Sequence, residues 1–389
     1  MKDSKEEEVV ERIYLDHAAT TPMHPDVAHE MMKAMQANYG NASSVHFFGR
    51  EARKAVNDAR RRLAGTIAAK ENEIIFTSGG TESDNHAITG VARAYQHKGK
   101  HIITTAIEHH AVLHTCQYLE KQGFEVTYLP VDEQGTVSLE DLQNALRDDT
   151  ILVSIMFGNN EVGTIQDVHA IGSLLQGHQA FFHTDAVQAY GILPIDVQKM
   201  SIDLLSVSSH KINGPKGIGF LYCREGIALT PVLYGGEQEK KRRAGTENVP
   251  AITGMALAAA IAQEQMQEKQ VLYKQFKERM LRVFEEEQLV FSVNGSSHSL
   301  PHVLNISFSG TNIEAMLANL DLAGIAASSG SACTAGTIDP SHVLVAMFGK
   351  DHESTTNSIR FSFGLNNTMD QIERAAYDIA KIVKRLTKQ

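Results

Sequence analysis

The chain has 389 residues, a length that predicts two domains, each large enough to bury its own core. Charged residues make up 21% and hydrophobic residues 42% of it, the balance of an ordinary soluble protein. The net charge of −10 argues against direct nucleic-acid binding, and no apolar run reaches the roughly 18 residues of a membrane span. The charged N-terminus lacks the apolar stretch of a secretory signal, so we expect a cytoplasmic protein with no membrane partner.

From about residue 73 to 223, short apolar runs alternate with amphipathic stretches, at the lengths of βαβ units. The apolar runs are EIIFTSG, HIITTAI, EVTYLPVD, ILVSIMFGNN, AFFHTDAV, DLLSVSS and GIGFLYC. Helices are predicted at about 81–97, at about 109–121 and in SLEDLQNALR. Several of the runs are apolar without alternation, as strands buried on both faces are, so we predict a three-layer α/β domain with a mostly parallel sheet.

After Pro250 the pattern changes to one long helical run at about 251–287. It is followed by VLNISFSG, a helix at about 312–322, IAASSGSACTAG, SIRFSFG and a terminal helix at about 368–386. These elements predict a smaller α+β domain. We place the large domain at 16–255 and the small domain at 1–15 and 256–389, with an approximate boundary because one long helix can bridge the two.

The three cysteines are too few for a disulfide framework in a chain of this size. Cys116 lies in a helical run and Cys223 ends an apolar strand, so both are interpreted as small buried side chains. Cys333 lies in SSGSACTAGTIDP, whose small and polar residues predict a loop. A thiol in a polar loop has little role in packing, so we interpret Cys333 as a reactive group.

The segment SSHKINGPKG places a lysine in a turn after an apolar strand. A lysine that forms a Schiff base must be held at a defined point and kept partly neutral, and such a turn can do both. Lys211 can reach an aldehyde there, while Ser208 and His210 can reach a phosphate. Taken alone, the segment is more typical of a polar loop whose lysine faces water.

Two further segments carry groups that suit a phosphorylated pyridine. Asp185 ends the run AFFHTDAV, where a carboxylate can keep a pyridine nitrogen protonated, and Gln188 can donate to a ring hydroxyl. The alternative for Asp185 is a helix cap. In FTSGGTESDN, Gly80 and Thr81 stand at a predicted helix start whose free N–H groups can cradle a phosphate, although the pattern matches neither the P-loop nor the dinucleotide fingerprint.

The run IEHHAVLH contains three histidines. His109, at a strand-to-helix junction, can stack on a pyridine ring and move protons near neutral pH. The spacing of His110 and His114 also fits a pair of metal ligands, but the run lacks HExxH and a clear third ligand. We therefore predict no metal site.

The remaining candidates carry amide, guanidinium and hydroxyl groups. Asn160 follows a strand in FGNNEVG, and Arg360 lies in SIRFSFG, where an arginine is costly to bury without an anion. A bound carboxylate and a structural ion pair explain Arg360 equally well at this point. The run EKKRRAGTEN is typical of a solvated loop, although its Arg243 and Thr246 can meet a phosphate.

Taken in order, the motifs resemble the cysteine desulfurases of the NifS and IscS type, from about Ile13 to the terminal helix. They are YLDHAATTP, SGGTESDN, EHHAVLHTC, NNEVG, HTDAVQ, SSHKINGPKGIGFLY, RRAGTEN, SSGSACTAG and SIRFSFG. The resemblance implies a homodimeric, fold-type I enzyme of the class V aminotransferase-like group with pyridoxal 5′-phosphate as cofactor. It also implies that L-cysteine gives L-alanine and a persulfide on Cys333, which passes to a sulfur-acceptor protein for iron–sulfur cluster assembly, tRNA thiolation or thio-cofactor synthesis.

The resemblance further implies a role for each matched residue. Lys211, His109 and Cys333 form the catalytic set, in which Lys211 holds the cofactor, His109 stacks on its ring and Cys333 accepts sulfur. The implied cofactor and substrate contacts are Asp185 with the pyridine nitrogen, Gln188 with the phenolic oxygen, Gly80, Thr81, Ser208 and His210 with the phosphate, Thr246 with the phosphate in the neighbouring subunit, and Asn160 and Arg360 with the substrate carboxylate.

Three alternatives remain at this point. A class V transaminase or lyase without a sulfur acceptor needs no loop cysteine, so Cys333 argues against it. A selenocysteine lyase would use the same site. A non-enzymatic scaffold is disfavoured because every matched catalytic position is filled.

Overall fold

Strands and helices alternate along the chain in the computed structural model, which describes residues 12–330, 333–334 and 337–388. The strands are β1 Ile13–Tyr14, β2 Ile74–Thr77, β3 His101–Thr105, β4 Glu125–Leu129, β5 Thr150–Ser154, β6 Phe181–Asp185, β7 Leu204–Ser208, β8 Gly219–Cys223, β9 Phe291–Asn294, β10 Val303–Phe308, β11 Ile325–Ala326, β12 Cys333–Thr334, β13 Thr337–Ile338 and β14 Ser358–Ser362. The α-helices are α1 Pro25–Ala37, α2 Phe47–Gly65, α3 Gly80–Tyr95, α4 His110–Glu120, α5 Leu139–Ala145, α6 Val168–Leu174, α7 Val249–Glu264, α8 Met266–Glu286, α9 Ile313–Leu322, α10 His342–Phe348, α11 Ser354–Asn357 and α12 Met369–Thr387. No helix in these ranges is long and apolar enough to cross a membrane.

Seven strands form one sheet in the order β2-β8-β7-β6-β5-β3-β4. The five strands β7, β6, β5, β3 and β4 are parallel to one another, and β8 is antiparallel to both β7 and β2. The prediction of a mostly parallel sheet in an α/β fold is therefore confirmed. Because the carboxyl ends of the parallel strands share one edge, residues that follow β6 and β7 are brought together there.

Both faces of this sheet are covered, which explains why its central strands are apolar at every position. One face packs with α2 and α7 in a core that includes Ile103, Val153 and Val207. The other face packs with α3 and α4 in a second core that includes Ile102 and Leu152. Successive residues of a strand thus enter opposite cores, and the result is three layers.

A second group of elements packs around the antiparallel sheet β14-β10-β9, with α8 and α12 against it. Ile13 and Leu15 belong to its core together with Phe276, Phe361 and Ile379. Strand β1 pairs in parallel with β11, which joins the start of the described chain to a segment more than 300 residues later. The division into domains at 15/16 and 255/256 remains a prediction.

The predicted helical run at about 251–287 is two helices rather than one. α7 ends at Glu264 and α8 begins at Met266, with Gln265 between them at φ −93° and ψ 3°. α7 packs in the core of the large sheet, whereas α8 packs in the core around β10. A bend at this point lets each helix follow its own core, which a periodicity argument over the whole run does not detect.

Candidate active site

A cavity of about 640 Å³ lies at the edge of the sheet where β6 and β7 end. The predicted site residues that line it are Gly80, Thr81, His109, Asn160, Asp185, Gln188, Ser208, His210, Lys211 and Arg360. They come from segments spread over about 280 residues of sequence, so only the fold can bring them together. The volume is in the range that binds a small molecule or cofactor.

Lys211 ends a short 3₁₀ turn, Ser209–Lys211, that follows β7 directly. Its Nζ donates hydrogen bonds to the carbonyl oxygens of Ala18 and Ala19, the second at 2.9 Å. Burial lowers the pKa of Lys211 to about 8, and the charge of Arg360 acts in the same direction. A substantial fraction of Lys211 is therefore a neutral amine near pH 8, as a nucleophilic lysine requires.

Asp185 is the last residue of β6, and its Oδ1 accepts a hydrogen bond from Val187 N at 2.9 Å. Residues 187–189 form a turn and not an α-helix, so the alternative explanation as a helix cap fails. Burial raises the pKa of Asp185, while the nearby His109 and Lys211 lower it. Asp84 of α3 is also buried, and its pKa is raised by burial and by Asp185. This pocket thus favours a cation as the partner of Asp185.

The phosphate cradle predicted in FTSGGTESDN lies at the start of α3. Gly79 has φ 149°, a conformation that favours glycine, and a Cβ added there would lie 3.5 Å from Ser208 Oγ. A Cβ on Gly80 would lie 2.7 Å from Val187 Cγ2, so backbone and neighbouring side chains are already in close contact. Helix N–H groups, the Thr81 hydroxyl and the Ser208 hydroxyl therefore line one end of the cavity, a donor set that fits a phosphate.

His210 also lines the cavity. Its Nδ1 lies 3.1 Å from Thr20 Oγ1, and burial lowers its pKa to about 4. Either group can donate in this contact, because a hydroxyl oxygen both donates and accepts. In the tautomer whose Nδ1 accepts from Thr20, the Nε2–H is a further donor for an anion.

His109 is the N-cap of α4, where its Nδ1 accepts a hydrogen bond from Ala111 N at 3.1 Å. Burial is the main cause that lowers its pKa, so the ring is neutral near pH 7 with its proton on Nε2. Within the described ranges, one group of three possible metal ligands lies close together: donor atoms of Asp84, His109 and Asp185 are all within 4.8 Å. His110 and His114 stack instead on each other with ring centroids 5.0 Å apart.

Arg360, in β14, reaches the cavity and also has a carboxylate partner. It is 4% exposed, its Nη1 donates to Asn160 O at 3.0 Å, and its Nη2 donates to Asp16 Oδ1 at 2.8 Å. Its Nε has no hydrogen-bond partner among the described residues. The guanidinium is thus oriented by two contacts. The structural ion pair offered from sequence is present, and the contact with a bound carboxylate stays a prediction.

The segment from Asp16 to Thr21 belongs to the site, although no role was predicted for it. Asp16 pairs with Arg360, the carbonyl of Ala18 accepts from both Lys211 and Gln188, and Thr20 contacts His210. The one sequence signal was an acid followed by small residues in YLDHAATTP. These contacts span 170 residues or more, so no local pattern reveals them.

Thr246 does not line the cavity; it lies on an exposed loop. Its neighbour Arg243 pairs with Glu82 of α3 through Nε–Oε1 at 2.7 Å and Nη2–Oε2 at 3.1 Å. Within one chain, therefore, the basic loop meets a carboxylate beside the cradle, and a contact of Arg243 with a phosphate stays a prediction.

The three cysteines fall into two groups. Cys116 and Cys223 are at most 1% exposed, and burial raises the pKa of each to about 12. Both are therefore thiols at neutral pH, as predicted for structural side chains. Cys333 begins β12, and its side chain lies outside the described part of the structure.

Comparisons with known proteins agree on one family. The aminotransferase class-V family model matches residues 13–375. A putative cysteine desulfurase IscS 1 of Bacillus subtilis is 58% identical over 379 residues, which cover 97% of this chain and all of that protein. A cysteine desulfurase IscS of Methanosarcina thermophila is 48% identical, over 96% of this chain and 92% of that protein.

Solved structures give the same result. A NifS-like protein superposes with a TM-score of 0.90 at 35% identity, covering 96% of this chain and all of that one. DndA from Streptomyces lividans gives a TM-score of 0.77 at 41% identity, over 90% and 99% of the two chains. SspA in complex with cysteine gives 0.78 at 36% identity, over 90% and 98%.

Proposed function

This chain belongs to the class-V aminotransferase family and, within it, to the cysteine desulfurases of the IscS and NifS type, and from that premise we propose that it transfers the sulfur of L-cysteine to Cys333 and releases L-alanine. The observation that carries the proposal is the position of Lys211, which is half-buried, partly neutral and in the lining of a cavity that also holds a phosphate cradle and a buried carboxylate. Few other chemistries need these three features together.

Pyridoxal 5′-phosphate is the cofactor of this family, and the residues present fit it. Its phosphate suits the donors at the start of α3 with Ser208 and His210, and its aldehyde suits the Lys211 amine. Asp185 suits a protonated pyridine nitrogen, because a carboxylate in this buried position needs a cation. When bound, the cofactor supplies an electron sink for the substrate.

Proton transfer at the substrate carbon is assigned to Lys211, and His109 is assigned a hydrogen bond to the substrate. Lys211, with a pKa of about 8, can take the α-proton of the substrate as a neutral amine and return it to carbon. His109 is held as the Nε2–H tautomer by its cap hydrogen bond, so it can donate a hydrogen bond into the cavity. The lowered pKa keeps the ring neutral, and with Nε2 protonated and Nδ1 bonded to Ala111 N it acts on the substrate as a hydrogen-bond donor.

The substrate carboxylate is assigned to Arg360 and Asn160. A guanidinium that is oriented by Asn160 O and Asp16 needs no large movement to meet an anion in the cavity. The unpartnered Nε is a free donor on the same group. Asn160 lines the cavity beside it and can add an amide donor.

Cys333 is proposed as the sulfur acceptor, supported by the state of the other two cysteines. The thiolate is the nucleophile, and burial keeps Cys116 and Cys223 protonated. In the proposed step the Cys333 thiolate attacks the substrate sulfur, an S–S bond forms and the substrate C–S bond breaks. The electron pair of that bond stays on carbon, which takes up a proton to become the methyl group of alanine.

A homodimer is proposed in which Thr246 reaches the cofactor phosphate of the partner. An exposed aromatic cluster supports an interface: Tyr39, Phe47 and Phe48 are each about half exposed or more, with Tyr39 and Phe48 ring centroids 5.2 Å apart. Contiguous exposed aromatics of this kind mark protein contacts. The exposed position of Thr246 is compatible with a contact to another chain.

The acceptor of the persulfide is proposed to be a protein with its own reactive cysteine. Iron–sulfur cluster assembly, tRNA thiolation and thio-cofactor synthesis all begin from such a persulfide. Trapping the persulfide form of the protein on candidate acceptors, and identifying the acceptor peptide by mass spectrometry, distinguishes these pathways.

The experiment is a single turnover of the holoenzyme with L-cysteine, followed by peptide mass spectrometry and alanine analysis. We expect one equivalent of alanine and the mass of one added sulfur on the Cys333 peptide. Cys333→Ser should keep the cofactor colour but form neither product, whereas Cys116→Ala with Cys223→Ala should behave as wild type. Sulfide release at the wild-type rate from Cys333→Ser would show that the acceptor is misassigned.

A further inference from the structure

The side-chain amide of Gln188 has a fixed orientation in the wall of the cavity. Its Nε2 lies 2.9 Å from the carbonyl oxygen of Ala18. Because a carbonyl oxygen can only accept, the NH₂ end of the amide must face Ala18. The same oxygen accepts from Lys211, so Gln188 and the lysine share one anchor. One hydrogen of the NH₂ group is used by Ala18, and the other remains for a group in the cavity.

His302 contacts the other end of the Gln188 carboxamide, its oxygen. Its Nε2 lies 3.2 Å from Gln188 Oε1, and both side chains are buried at 6–7% exposure. An amide oxygen can only accept, so Nε2 must carry the ring proton. Nδ1 then holds a lone pair, and it has no partner among the described residues. His302 is thus held in one neutral tautomer by its bond to Gln188.

The surroundings of His302 keep it in this form. Its pKa is lowered to about 3, mainly by burial, with smaller contributions from Lys277, His17, Lys211 and Arg360. The ring therefore stays neutral at all pH values at which an enzyme is ordinarily assayed. It works as a permanent donor and not as a titrating group.

We propose that His302 is a positioning residue, whose Nε2–H holds the Gln188 carboxamide so that its remaining N–H points to the phenolic oxygen of the cofactor. This inference rests on the proposed function, in which Gln188 bonds that oxygen. A donor to the phenolic oxygen stabilises its ionised form. Without His302 the amide oxygen of Gln188 loses its donor, and the amide is held by the Ala18 contact alone. The remaining N–H is then directed less well at the phenolic oxygen.

The test is a pH titration of the visible absorption band of the lysine-bound cofactor, in the wild type and three variants. His302→Leu removes the donor at similar volume, His302→Gln keeps an N–H near the position of Nε2, and Gln188→Leu removes the amide itself. We expect the midpoint to rise by about 0.5–1 pH unit in His302→Leu and in Gln188→Leu, the size of one lost hydrogen bond. His302→Gln should titrate at the wild-type pH. A merely structural role for His302 would lower the melting temperature without moving this midpoint.

A wild-type midpoint in His302→Leu, together with a shifted midpoint in Gln188→Leu, would overturn the proposal, because Gln188 would then be oriented without His302. A shift in His302→Gln as large as in His302→Leu would overturn it as well. If Gln188→Leu also titrates as wild type, Gln188 is not the donor to the phenolic oxygen, and the proposal for His302 is overturned with that assignment. Should His302→Leu not fold, His302→Met lacks the donor too and carries the same expectation.

Discussion

Two regions of this molecule each hold a half-buried lysine, and desolvation lowers the pKa of both to about 8. Lys211 lies after β7 in the wall of the cavity, where it contacts backbone carbonyls and is influenced by Asp185 and Arg360. Lys277 lies on α8, where its Nζ donates to Ser299 Oγ at 2.9 Å and to Leu300 O at 3.0 Å. Lys277 does not line the cavity.

The difference between the two shows that a lowered pKa measures burial and does not by itself identify a reactive amine. Lys277 donates to a hydroxyl and a carbonyl that tie a helix to the loop before β10. Lys211 adds to its low pKa a cavity, a buried acid and a set of phosphate donors. The proposed chemistry therefore depends on what surrounds the amine.

The largest expected effect comes from Lys211→Ala. The cofactor should no longer be bound covalently, and turnover of L-cysteine should fall by at least about a thousandfold, because the variant loses the group that moves the α-proton. The measurement is alanine formation together with the visible absorbance of the purified protein. A Lys211→Ala protein that is yellow and still forms alanine would contradict the assignment of Lys211 as the reactive lysine.

Lys277→Met is the matched control, and it should keep colour and turnover. The folded pKa of Lys277, about 8, is below its usual 10.5, so between these pH values the unfolded chain binds more protons. Wild-type stability should therefore rise relative to Lys277→Met as pH increases from about 8 to 10.5. Urea unfolding of both proteins at several pH values measures this stability difference. A difference that does not change with pH would contradict the lowered pKa of Lys277.

The second effect concerns the arginine of the cavity. Arg360→Ala should lower kcat/KM for L-cysteine. The loss corresponds to roughly 2–4 kcal/mol of transition-state stabilisation, because a desolvated charge-assisted contact to the carboxylate is lost. The affinity for pyridoxal 5′-phosphate should change much less. Asp16→Asn, which removes the partner but keeps the guanidinium, serves as the control for the ion pair. An unchanged kcat/KM with a large loss of thermal stability would make Arg360 purely structural.

The third effect is the pH dependence of cofactor uptake by the apoprotein. Only the neutral amine attacks an aldehyde, and the fraction of neutral Lys211 grows as pH approaches its pKa of about 8. The rate of appearance of the visible band should thus rise about tenfold per pH unit below 8 and level off above it. Stopped-flow absorbance measures it. A midpoint near the usual lysine pKa would mean that Lys211 is not desolvated.

The sequence predicted the site residues that directly follow apolar strands. It did not predict the site residues whose role depends on contacts with distant parts of the chain. Lys211 and Asp185 come directly after apolar runs, so the expected edge of the sheet predicted their meeting. Asp16 and Ala18 reach the site because β1 pairs with β11, a contact that no local pattern encodes. His302 was not predicted either, since its role is a bond to Gln188, 114 residues earlier.

The smallest expected effect concerns the proposed contact of Thr246 with the cofactor of the partner subunit. Arg243→Ala with Thr246→Ala should loosen the cofactor modestly while the fold persists, because the proposed contact of Thr246 is one phosphate hydrogen bond. Arg243→Ala alone, which breaks the pair with Glu82, separates that local contact from the effect of Thr246. Light scattering and cofactor absorbance across a dilution series provide the measurement. A fully active monomer with stoichiometric cofactor would rule out a shared site.

The most direct measurement of the central claim is to reduce the holoenzyme with borohydride and map the modified lysine by peptide mass spectrometry. Lys211 and Lys277 both have a pKa lowered to about 8, so this experiment separates the effect of position from that of basicity. We predict that the phosphopyridoxyl group is found on Lys211 and that the Lys277 peptide is unmodified. Modification of Lys277 or of another lysine, with Lys211 free, would contradict the assignment of the active site.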